Sequence, residues 1–447
     1  MYLLANGMLI TRDPARPFLP DGGVVMDGPV IVEVGTTDEL RRRYPQAEFL
    51  DARGGIILPG FINAHTHIYS ALARGLTIRG NNPKNFYEVL NGTWWAIDRS
   101  LDLEATRASA YATYLDCIKQ GVTTIFDHHA SYCEIPGSLF AIAEVAEELG
   151  IRSCLCYEVS DRDGEDKCQQ AIAENADFIS YCEARPSAMR KALFGGHALF
   201  TISDRTFDRM QAANAGRVGY HIHVSEGMND VYDSLQKYGR RPVQRLHDHG
   251  ILGPDTILGH CIHVNPAEMD LIRQTGTWVV NNPESNMGNA VGISPVLAMH
   301  QKGISLGLGT DAYTNDMLES AKVALCAQRH NACLPNVGWG EVTDMLFRNN
   351  PKLASQHFGV DLGVLRPGAA ADIIVMDYKP DTPFSDVNVD GHMLFGMTGR
   401  QCQTTIVGGR VLMRDRALLG VDEEALHARI LESANRLWDR LDSNLPH

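Results

Sequence analysis

The chain has 447 residues, of which 44% are hydrophobic, and it carries 40 Lys and Arg against 54 Asp and Glu. A chain of this length is too long to fold around one small hydrophobic core, so we expect one large domain and one smaller one. The net charge of −14 would repel phosphate backbones and anionic lipid, which argues against nucleic acid and membrane surfaces as partners and favours a small, neutral or cationic substrate.

The ten cysteines are far too sparse for a disulfide-stabilised fold. Cys154 and Cys156 form a C-x-C pair, but no second pair accompanies them to complete a zinc knuckle. Apolar runs stay well below the roughly 20 residues that span a bilayer, and the first residues lack the pattern of a secretory signal. We therefore expect free thiols in a soluble, cytoplasmic protein.

Both ends of the chain are predicted to be rich in β-strand. Residues 1–56 contain short apolar runs broken by turn residues, and strand character returns within residues 367–447, most clearly at 372–376 and 404–412. We predict that the two ends pair into one small β-sandwich domain beside the larger one. A terminal helix is predicted from Asp422, an N-cap that precedes apolar residues at helical spacing.

Residues 57–366 alternate apolar runs with stretches of helical period, of which one begins at Ser100, the predicted N-cap, and ends at Gly121. The predicted strands are Ile56–Ile62, Thr123–Phe126, Cys154–Val159, Leu193–Ile202, Tyr220–Val224, Thr256–Val264, Trp278–Asn281 and Ile304–Gly309. Eight runs over about 250 residues are typical of an α/β protein with a (β/α)₈ TIM-like barrel. A doubly wound parallel sheet would give the same alternation.

The sequence His65-Thr66-His67 follows the first of these runs directly. Residues two apart on a strand face the same way, so both imidazoles should point inward together. Two nitrogens on the same side are the start of a metal site. The alternative is a pair of histidines that hydrogen-bond locally near a loop.

Further residues of ligand type lie at the ends of other predicted strands. His223 and Glu226 end the fifth run, His260 lies in the sixth, and Asp311 ends the eighth. In a barrel the carboxyl ends of the strands converge on one mouth, where catalytic groups lie. Histidines and an aspartate at that mouth would surround one divalent cation and leave a position for water.

The order of these motifs resembles the signature of the amidohydrolase superfamily, in its cytosine deaminase and chlorohydrolase branch, and the resemblance covers nearly the whole chain. The motifs are Pro59-Gly60-Phe61-Ile62-Asn63-Ala64-His65-Thr66-His67, His223-x-x-Glu226, Gly259-His260 and Gly309-Thr310-Asp311-Ala312. A narrower similarity is to the SsnA-type aminohydrolases. It rests on Trp94-Trp95, Asp127-His128-His129-Ala130-Ser131 and Ser285-Asn286-Met287.

This resemblance implies one divalent ion, with zinc expected and iron as the alternative, in a homodimer. The implied metal ligands are His65, His67, His223 and Asp311. In the family, the glutamate that matches Glu226 shuttles the proton. The histidine that matches His260 holds the attacking water and polarises the substituent of the reacting carbon. Binuclear members add a carboxylated Lys, but Cys154–Val159 and Leu193–Ile202 contain no Lys. A single metal is therefore expected.

Candidates for substrate contact follow from the same comparison, and they are His197, Trp94, Trp95, His129 and Asn286. Two departures mean that the family's substrate rules cannot be transferred. The usual His-x-Pro after the fourth run keeps His197 but lacks the Pro, and Asn281 stands where a His often precedes Asn-Pro. The Trp pair could stack on a heterocycle or belong to the core, and His128-His129 could form a second metal site or lie around the substrate.

The remaining motifs are weaker. Residues 307–312 match the dinucleotide fingerprint G-x-G-x-x-A, but Asp311 within that loop would face a pyrophosphate with like charge. We expect a mononuclear metal-dependent hydrolase that deaminates a purine-like or pterin-like ring, with Asp311 taking the water's proton. Ring-opening hydrolysis of a cyclic amide or amidine in purine catabolism, with the same residues, is an alternative. A catalytically silent scaffold is another, although it should have lost ligands or Glu226.

Overall fold

The computed structural model describes residues 1–444, and the strands within that range form three hydrogen-bonded sheets. In chain order the strands are β1 (Tyr2–Ile10), β2 (Phe18–Asp27), β3 (Val30–Thr36), β4 (Glu48–Asp51), β5 (Ile56–Pro59), β6 (Phe61–Thr66), β7 (Val122–His129), β8 (Arg152–Tyr157), β9 (Arg190–Ala192), β10 (Phe194–Ala198), β11 (Tyr220–Val224), β12 (Ile257–His260), β13 (Trp278–Asn281), β14 (Leu306–Leu308), β15 (Ile373–Met376), β16 (Cys402–Val407), β17 (Arg410–Arg414) and β18 (Ala417–Leu418).

The helices that connect and flank these strands are α1 (Thr37–Arg43), α2 (Phe86–Val89), α3 (Trp95–Asp98), α4 (Leu103–Lys119), α5 (Ser138–Leu149), α6 (Glu165–Ala184), α7 (Asp204–Asn214), α8 (Met228–Tyr238), α9 (Pro242–Asp248), α10 (Pro266–Thr275), α11 (Pro283–Gly288), α12 (Val296–Gln301), α13 (Met317–Ala332), α14 (Trp339–Asp344), α15 (Asn350–Phe358), α16 (Val389–Gly396) and α17 (Glu423–Asn444). Leu90–Trp94 is a π-helical turn directly before α3. Among the described helices, none is both long and apolar enough to cross a bilayer.

The two chain ends form one nine-stranded sheet, in the order β18-β17-β16-β15-β5-β1-β2-β3, with β4 beside β1. Strand β5 joins its halves, because it runs parallel to β1 and antiparallel to β15. Apolar side chains from both halves, such as Val24 and Ile406, share one core. The predicted pairing of the chain ends is therefore confirmed. The predicted sandwich is a single hydrogen-bonded sheet whose strands share that core.

The other two sheets together make the barrel, and every neighbouring pair of their strands is parallel. Only Leu193 separates β9 from β10, so these are two halves of one strand and the barrel has eight strand positions. Backbone hydrogen bonds join the sheets at both edges: Thr310 N donates to His65 O at 3.0 Å, and His197 N donates to Val159 O at 2.9 Å. The ring closes as a (β/α)₈ barrel, as predicted.

The barrel begins later than expected. Ile56–Ile62 was predicted as one barrel strand, which is wrong: Ile56–Pro59 belongs to the sheet of the chain ends, and the barrel starts at Phe61. Gly60 lies between them, where an added Cβ would be 2.2 Å from the side chain of Thr123, so only glycine fits. The sheets divide at Gly60, and the division into domains at residues 57 and 367 stays a prediction.

Of the two helix N-caps predicted from the sequence, one is wrong and one is confirmed. The N-cap of α4 is Asp102, whose carboxylate accepts from Ala105 N, so the prediction of Ser100 is wrong. Ser100 lies two residues earlier, and its hydroxyl donates to Ala96 O instead. Asp422 caps α17 as predicted, because its carboxylate accepts from Ala425 N at 3.0 Å.

Candidate metal centre

His65 lies on β6 and His67 directly follows its last residue in extended conformation, and both are buried. The two-residue period of the strand puts both rings on one side, as the sequence predicted, with centroids 4.9 Å apart. His65 Nδ1 lies 2.8 Å from Nε2 of His221, so one of these nitrogens donates to the other. His65 Nε2 is buried without a hydrogen-bond partner, which makes it an available ligand atom.

Backbone carbonyls orient two further nitrogens of this cluster. His67 Nδ1 donates to His128 O at 2.5 Å, and His223 Nδ1 donates to His197 O at 2.8 Å. With Nδ1 protonated, the Nε2 atoms of these neutral rings carry lone pairs. These two Nε2 atoms are 3.2 Å apart. Such an outer hydrogen bond to a carbonyl is how proteins fix the tautomer of metal-binding histidines.

Asp311, three residues after the carboxyl end of β14, completes the cluster. Its carboxylate oxygens lie 3.2 Å from His67 Nε2 and 3.4 Å from His260 Nε2. The backbone of Asp311 has φ +55°, and that of His260 has φ +69°. Non-glycine residues in this left-handed region cost free energy and are enriched at functional sites. The fold therefore holds both side chains towards the cluster at some expense of backbone conformation.

The donor set suits a divalent cation. Ligand atoms of His65, His67 and His223 all lie within 4.8 Å of one another, and so do those of His65, His260 and Asp311. Burial lowers the pKa of His65 and His223 well below the usual value for imidazole, so these rings are neutral and can ligate. Neutral imidazoles with one carboxylate are ligands of zinc and of other transition metals.

Glu226 and His260 lie beside this cluster. Glu226 follows β11, exposes 12% of its side chain, and places Oε2 3.5 Å from His260 Nε2. Burial, followed by the charge of Asp311, raises the pKa of Glu226 well above its usual value. His260 Nδ1 donates to Asn286 Oδ1 at 2.7 Å, which leaves its Nε2 facing Glu226 and Asp311.

A cleft opens over these groups at the carboxyl ends of the strands. Its lining includes His67, Tyr69, Phe86, Leu90, Trp94, Glu158, His197, Phe200, His223, Glu226, Asp230, Asn289 and Asp311. Two of the five predicted substrate contacts, Trp94 and His197, lie in this lining. The structure places the other three, Trp95, His129 and Asn286, behind it.

These three residues have other neighbours. Trp95 is 5% exposed, and its ring packs against His197 and lies under the guanidinium of Arg162. His129 is fully buried between Tyr69 and Tyr157. Asn286 orients His260, as described above. Among the described residues, neither His128 nor His129 belongs to a group whose ligand atoms converge.

The fourth barrel strand starts earlier than predicted, at Arg190, and therefore contains Lys191. Lys191 pairs with Cys154 at the amino end of the strand. His197 lies at the other end, six residues away or about 20 Å at the usual strand rise. Lys191 is thus far from the cluster, and the expectation of a single ion is unaffected.

Three residues of the site were not singled out from the sequence: His221, Tyr69 and Glu158. His221 alternates with His223 on β11, so the two-residue period could have identified it. Glu158 directly follows β8, and the strand-end argument that found Glu226 applies equally to it. Tyr69 lies in the turn after β6 and carries no comparable signal.

Comparisons with known proteins agree with this geometry. The model of the amidohydrolase family matches residues 56–412, and that of the imidazolonepropionase-like composite domain of bacteria matches residues 22–47. The 5'-deoxyadenosine deaminase of Methanosarcina mazei is 27% identical over an alignment of 449 positions, which covers 99% of each chain. The 5-methylthioadenosine/S-adenosylhomocysteine deaminase of Thermococcus onnurineus is 30% identical over 401 residues, 88% of this chain and 91% of that one.

A solved structure has the same fold over nearly its whole length. It is an adenosine deaminase from Xanthomonas campestris with bound zinc, which aligns with a TM-score of 0.85 and 22% identity over 98% of both chains. The resemblance to the amidohydrolase superfamily is confirmed by the family match, which covers most of the chain, and the narrower similarity to SsnA-type aminohydrolases stays a prediction. This chain belongs to the amidohydrolase family.

Proposed function

We propose that this chain is a mononuclear metal-dependent aminohydrolase that deaminates a purine-like ring. One observation carries the proposal: ligand atoms of three buried histidines, His65, His67 and His223, converge within 4.8 Å beneath a cleft that Glu226 also lines. We assign these histidines and Asp311 as the ligands. The assignment agrees with the close approach of Asp311 to His67 Nε2.

A divalent cation held there supplies a Lewis acid that acidifies water at neutral pH. Zinc is the ion we propose, because three imidazoles and a carboxylate match its usual ligands and because the Xanthomonas campestris neighbour binds zinc. Iron is the alternative, since imidazole also suits iron.

The side chains around the cluster have the properties that hydrolytic deamination needs. Asp311 can accept a proton from the attacking water, which His260 holds. Glu226, whose pKa is raised by burial, carries a proton and can deliver it to the ring nitrogen beside the reacting carbon. A carbon–oxygen bond forms as Asp311 takes one proton of the water and Glu226 gives its proton to the ring nitrogen. The exocyclic carbon–nitrogen bond then breaks, and the amino group takes the proton from Asp311 and leaves as ammonia. The new hydroxyl becomes a carbonyl by giving its proton to Glu226, which restores both side chains.

The charge of the cleft supports a neutral or cationic substrate. In the part of the chain that the structure describes, the lining holds four acidic residues and neither Lys nor Arg. The acidic residues are Glu158, Glu226, Asp230 and Asp311. A phosphorylated nucleotide would meet the carboxylate of Asp311 and no basic side chain among these lining residues, whereas a free base or nucleoside carries no charge that needs one. The relatives are named as deaminases of adenosine derivatives, which supports a purine-like ring.

Two alternatives remain testable. Ring-opening hydrolysis of a cyclic amide or amidine would use the same residues, but it would leave the nitrogen in the product. A catalytically silent scaffold is disfavoured, because the complete donor set and Glu226 are present. The cytoplasmic location and the homodimer stay predictions.

Zinc-loaded protein should release ammonia from at least one member of a panel of adenine, guanine, adenosine, 5'-deoxyadenosine and reduced or oxidised pterins. Loss of that release in Glu226→Gln, with retention in the exposed control Glu144→Gln, would tie it to the cleft. Mass spectrometry of the product distinguishes deamination from ring opening. Absence of turnover with every panel member would contradict the proposal.

A further inference from the structure

Glu158 is a buried carboxyl group that lines the cleft and has no role in the proposed reaction. It is 2% exposed and directly follows β8. Its backbone is fixed on both sides, because its N–H donates to His129 O at 2.9 Å and its carbonyl accepts from the Tyr132 hydroxyl at 2.8 Å. The side chain is thus held at the cleft wall, where Trp94 and His197 are also found.

One oxygen of this carboxyl group has a donor. Oε1 of Glu158 accepts from Nη2 of Arg162 at 3.1 Å. The same guanidinium is already bound by Asp98 through both of its terminal nitrogens. Asp98 therefore neutralises much of the charge of Arg162. Because two buried carboxyl groups share this one cation, the negative charge of Glu158 is only partly compensated.

The second oxygen has no donor among the described residues. Oε2 of Glu158 lies 3.6 Å from Nδ1 of His128, which itself has no hydrogen-bond partner. His128 Nε2 donates to Gly196 O at 2.9 Å, so its Nδ1 presents a lone pair rather than a proton. Burial raises the pKa of Glu158 to about 8, as expected for a carboxyl group that lacks a full set of donors. A hydrogen bond donated to Oε2 would lower this pKa and favour the charged carboxylate, which accepts it.

We propose that Glu158 is a specificity-determining residue, whose free oxygen accepts a hydrogen bond from an O–H or N–H group on the part of the substrate that does not react. The inference rests on the proposed function and narrows its substrate class. Glu158 would thus favour neutral heterocycles that carry a hydrogen-bond donor at a position remote from the departing amino group. The donor could be a sugar hydroxyl of a nucleoside or a ring N–H of a free base, and both have the same chemistry.

Two pairs of probes separate these sources. Adenosine and 2',3'-dideoxyadenosine differ in the sugar hydroxyls, whereas adenine and 9-methyladenine differ in one ring N–H. Within one pair, the wild type should favour the donor-bearing member in kcat/KM by about 10- to 100-fold, since an unpaired buried acceptor is costly. Glu158→Leu should bring that ratio close to one, mainly through KM. Glu158→Gln keeps an acceptor and should retain part of the ratio.

The control variant is Glu144→Gln, at an exposed carboxylate, and it should keep the wild-type ratio. Metal content should be unchanged in all three variants, because Glu158 is not assigned as a ligand. If Glu158→Leu fails to fold, the partial loss in Glu158→Gln decides the question. An unchanged ratio in the folded variants, loss of metal, or absence of any wild-type preference in both pairs would overturn the inference.

Equilibrium binding of the same four probes to zinc-loaded protein keeps this test independent of turnover. Preferential binding that depends on Glu158, without ammonia release, would contradict the proposed function but support the inference. Ammonia release that does not depend on Glu158 would support the proposed function but contradict the inference. If none of the four probes binds or reacts, the inference is contradicted, and turnover of the other panel members decides the proposed function.

Discussion

Nε2 of His67 and Nε2 of His223 lie 3.2 Å apart, and the Nδ1 proton of each ring is donated to a backbone carbonyl. Two lone pairs therefore face each other in a buried environment. Such a contact is unfavourable unless a cation lies between the nitrogens or a proton is shared. The backbone of the neighbouring strands thus sets the ligand geometry, because the two carbonyls fix both ring orientations.

Glu226→Gln should lower kcat by about 10²- to 10⁴-fold, the usual contribution of a general acid–base group. Gln has nearly the same shape as Glu but cannot carry the proton. KM should change little if substrate binding equilibrates before chemistry. Steady-state ammonia release, with metal content measured on the same preparation, checks this prediction.

His260→Asn is the companion variant, and it should also retain the ion because His260 is assigned to the water. Loss of metal from Glu226→Gln would make Glu226 a ligand. Full activity of that variant would remove it from the mechanism.

Trp94→Ala and Trp95→Ala should have different effects, although the residues are adjacent. Trp94 lines the cleft, so its loss should weaken substrate binding by about 1–3 kcal/mol if it stacks on the ring as bases stack on aromatic side chains. Trp95 is buried, so its loss should lower the free energy of unfolding by about 3–5 kcal/mol. Substrate titration and denaturant unfolding measure the two quantities. Equal effects on binding would contradict this division of roles.

Asp372→Ala should destabilise the fold by about 3–5 kcal/mol, the usual cost of leaving one member of a buried ion pair without its partner. Asp372 precedes β15 and binds Arg152 of β8 through two hydrogen bonds of 2.9 and 3.0 Å, and both side chains are buried. The pair links the barrel to the sheet of the chain ends. Denaturant unfolding of the metal-loaded variant gives the change.

The control for this pair is Asp361→Ala. Asp361 binds Arg366 with both side chains about half exposed, and such pairs contribute roughly 0–1 kcal/mol. A similar loss of stability in Asp361→Ala and Asp372→Ala would show that burial of the Arg152 pair has no special effect.

The sequence was sufficient to predict the barrel and the cluster because both follow from simple periods. His65 and His67 share a side because strands repeat every two residues, and His223 and Asp311 meet them because parallel strands end at one mouth. The contributions of adjacent residues were harder to separate. Trp94 and Trp95 are consecutive residues of a helical segment, so their side chains point about 100° apart, and the sequence alone does not indicate which one faces the cleft.

Tertiary packing determines the features that the sequence patterns did not predict correctly. His128 and His129 alternate on β7, which sends His129 to Tyr69 and Tyr157 rather than towards the ligands. The limits of the first predicted strand were misplaced, because the run Ile56–Ile62 spans parts of two strands and only the partners of each segment assign it to a sheet. The sequence does not show that one oxygen of Glu158 lacks a donor, because this depends on how the fold places Arg162 and His128 around the carboxyl group.

The central claim is that one divalent ion binds per chain through His65, His67, His223 and Asp311. The most direct test is elemental analysis of protein prepared without chelator, for the wild type and for His67→Ala. The account predicts close to one equivalent of ion in the wild type and a sharp loss in His67→Ala, since removal of one of four ligands leaves a weakly held ion. A wild-type content near two or near zero, or an undiminished content in His67→Ala, would contradict it.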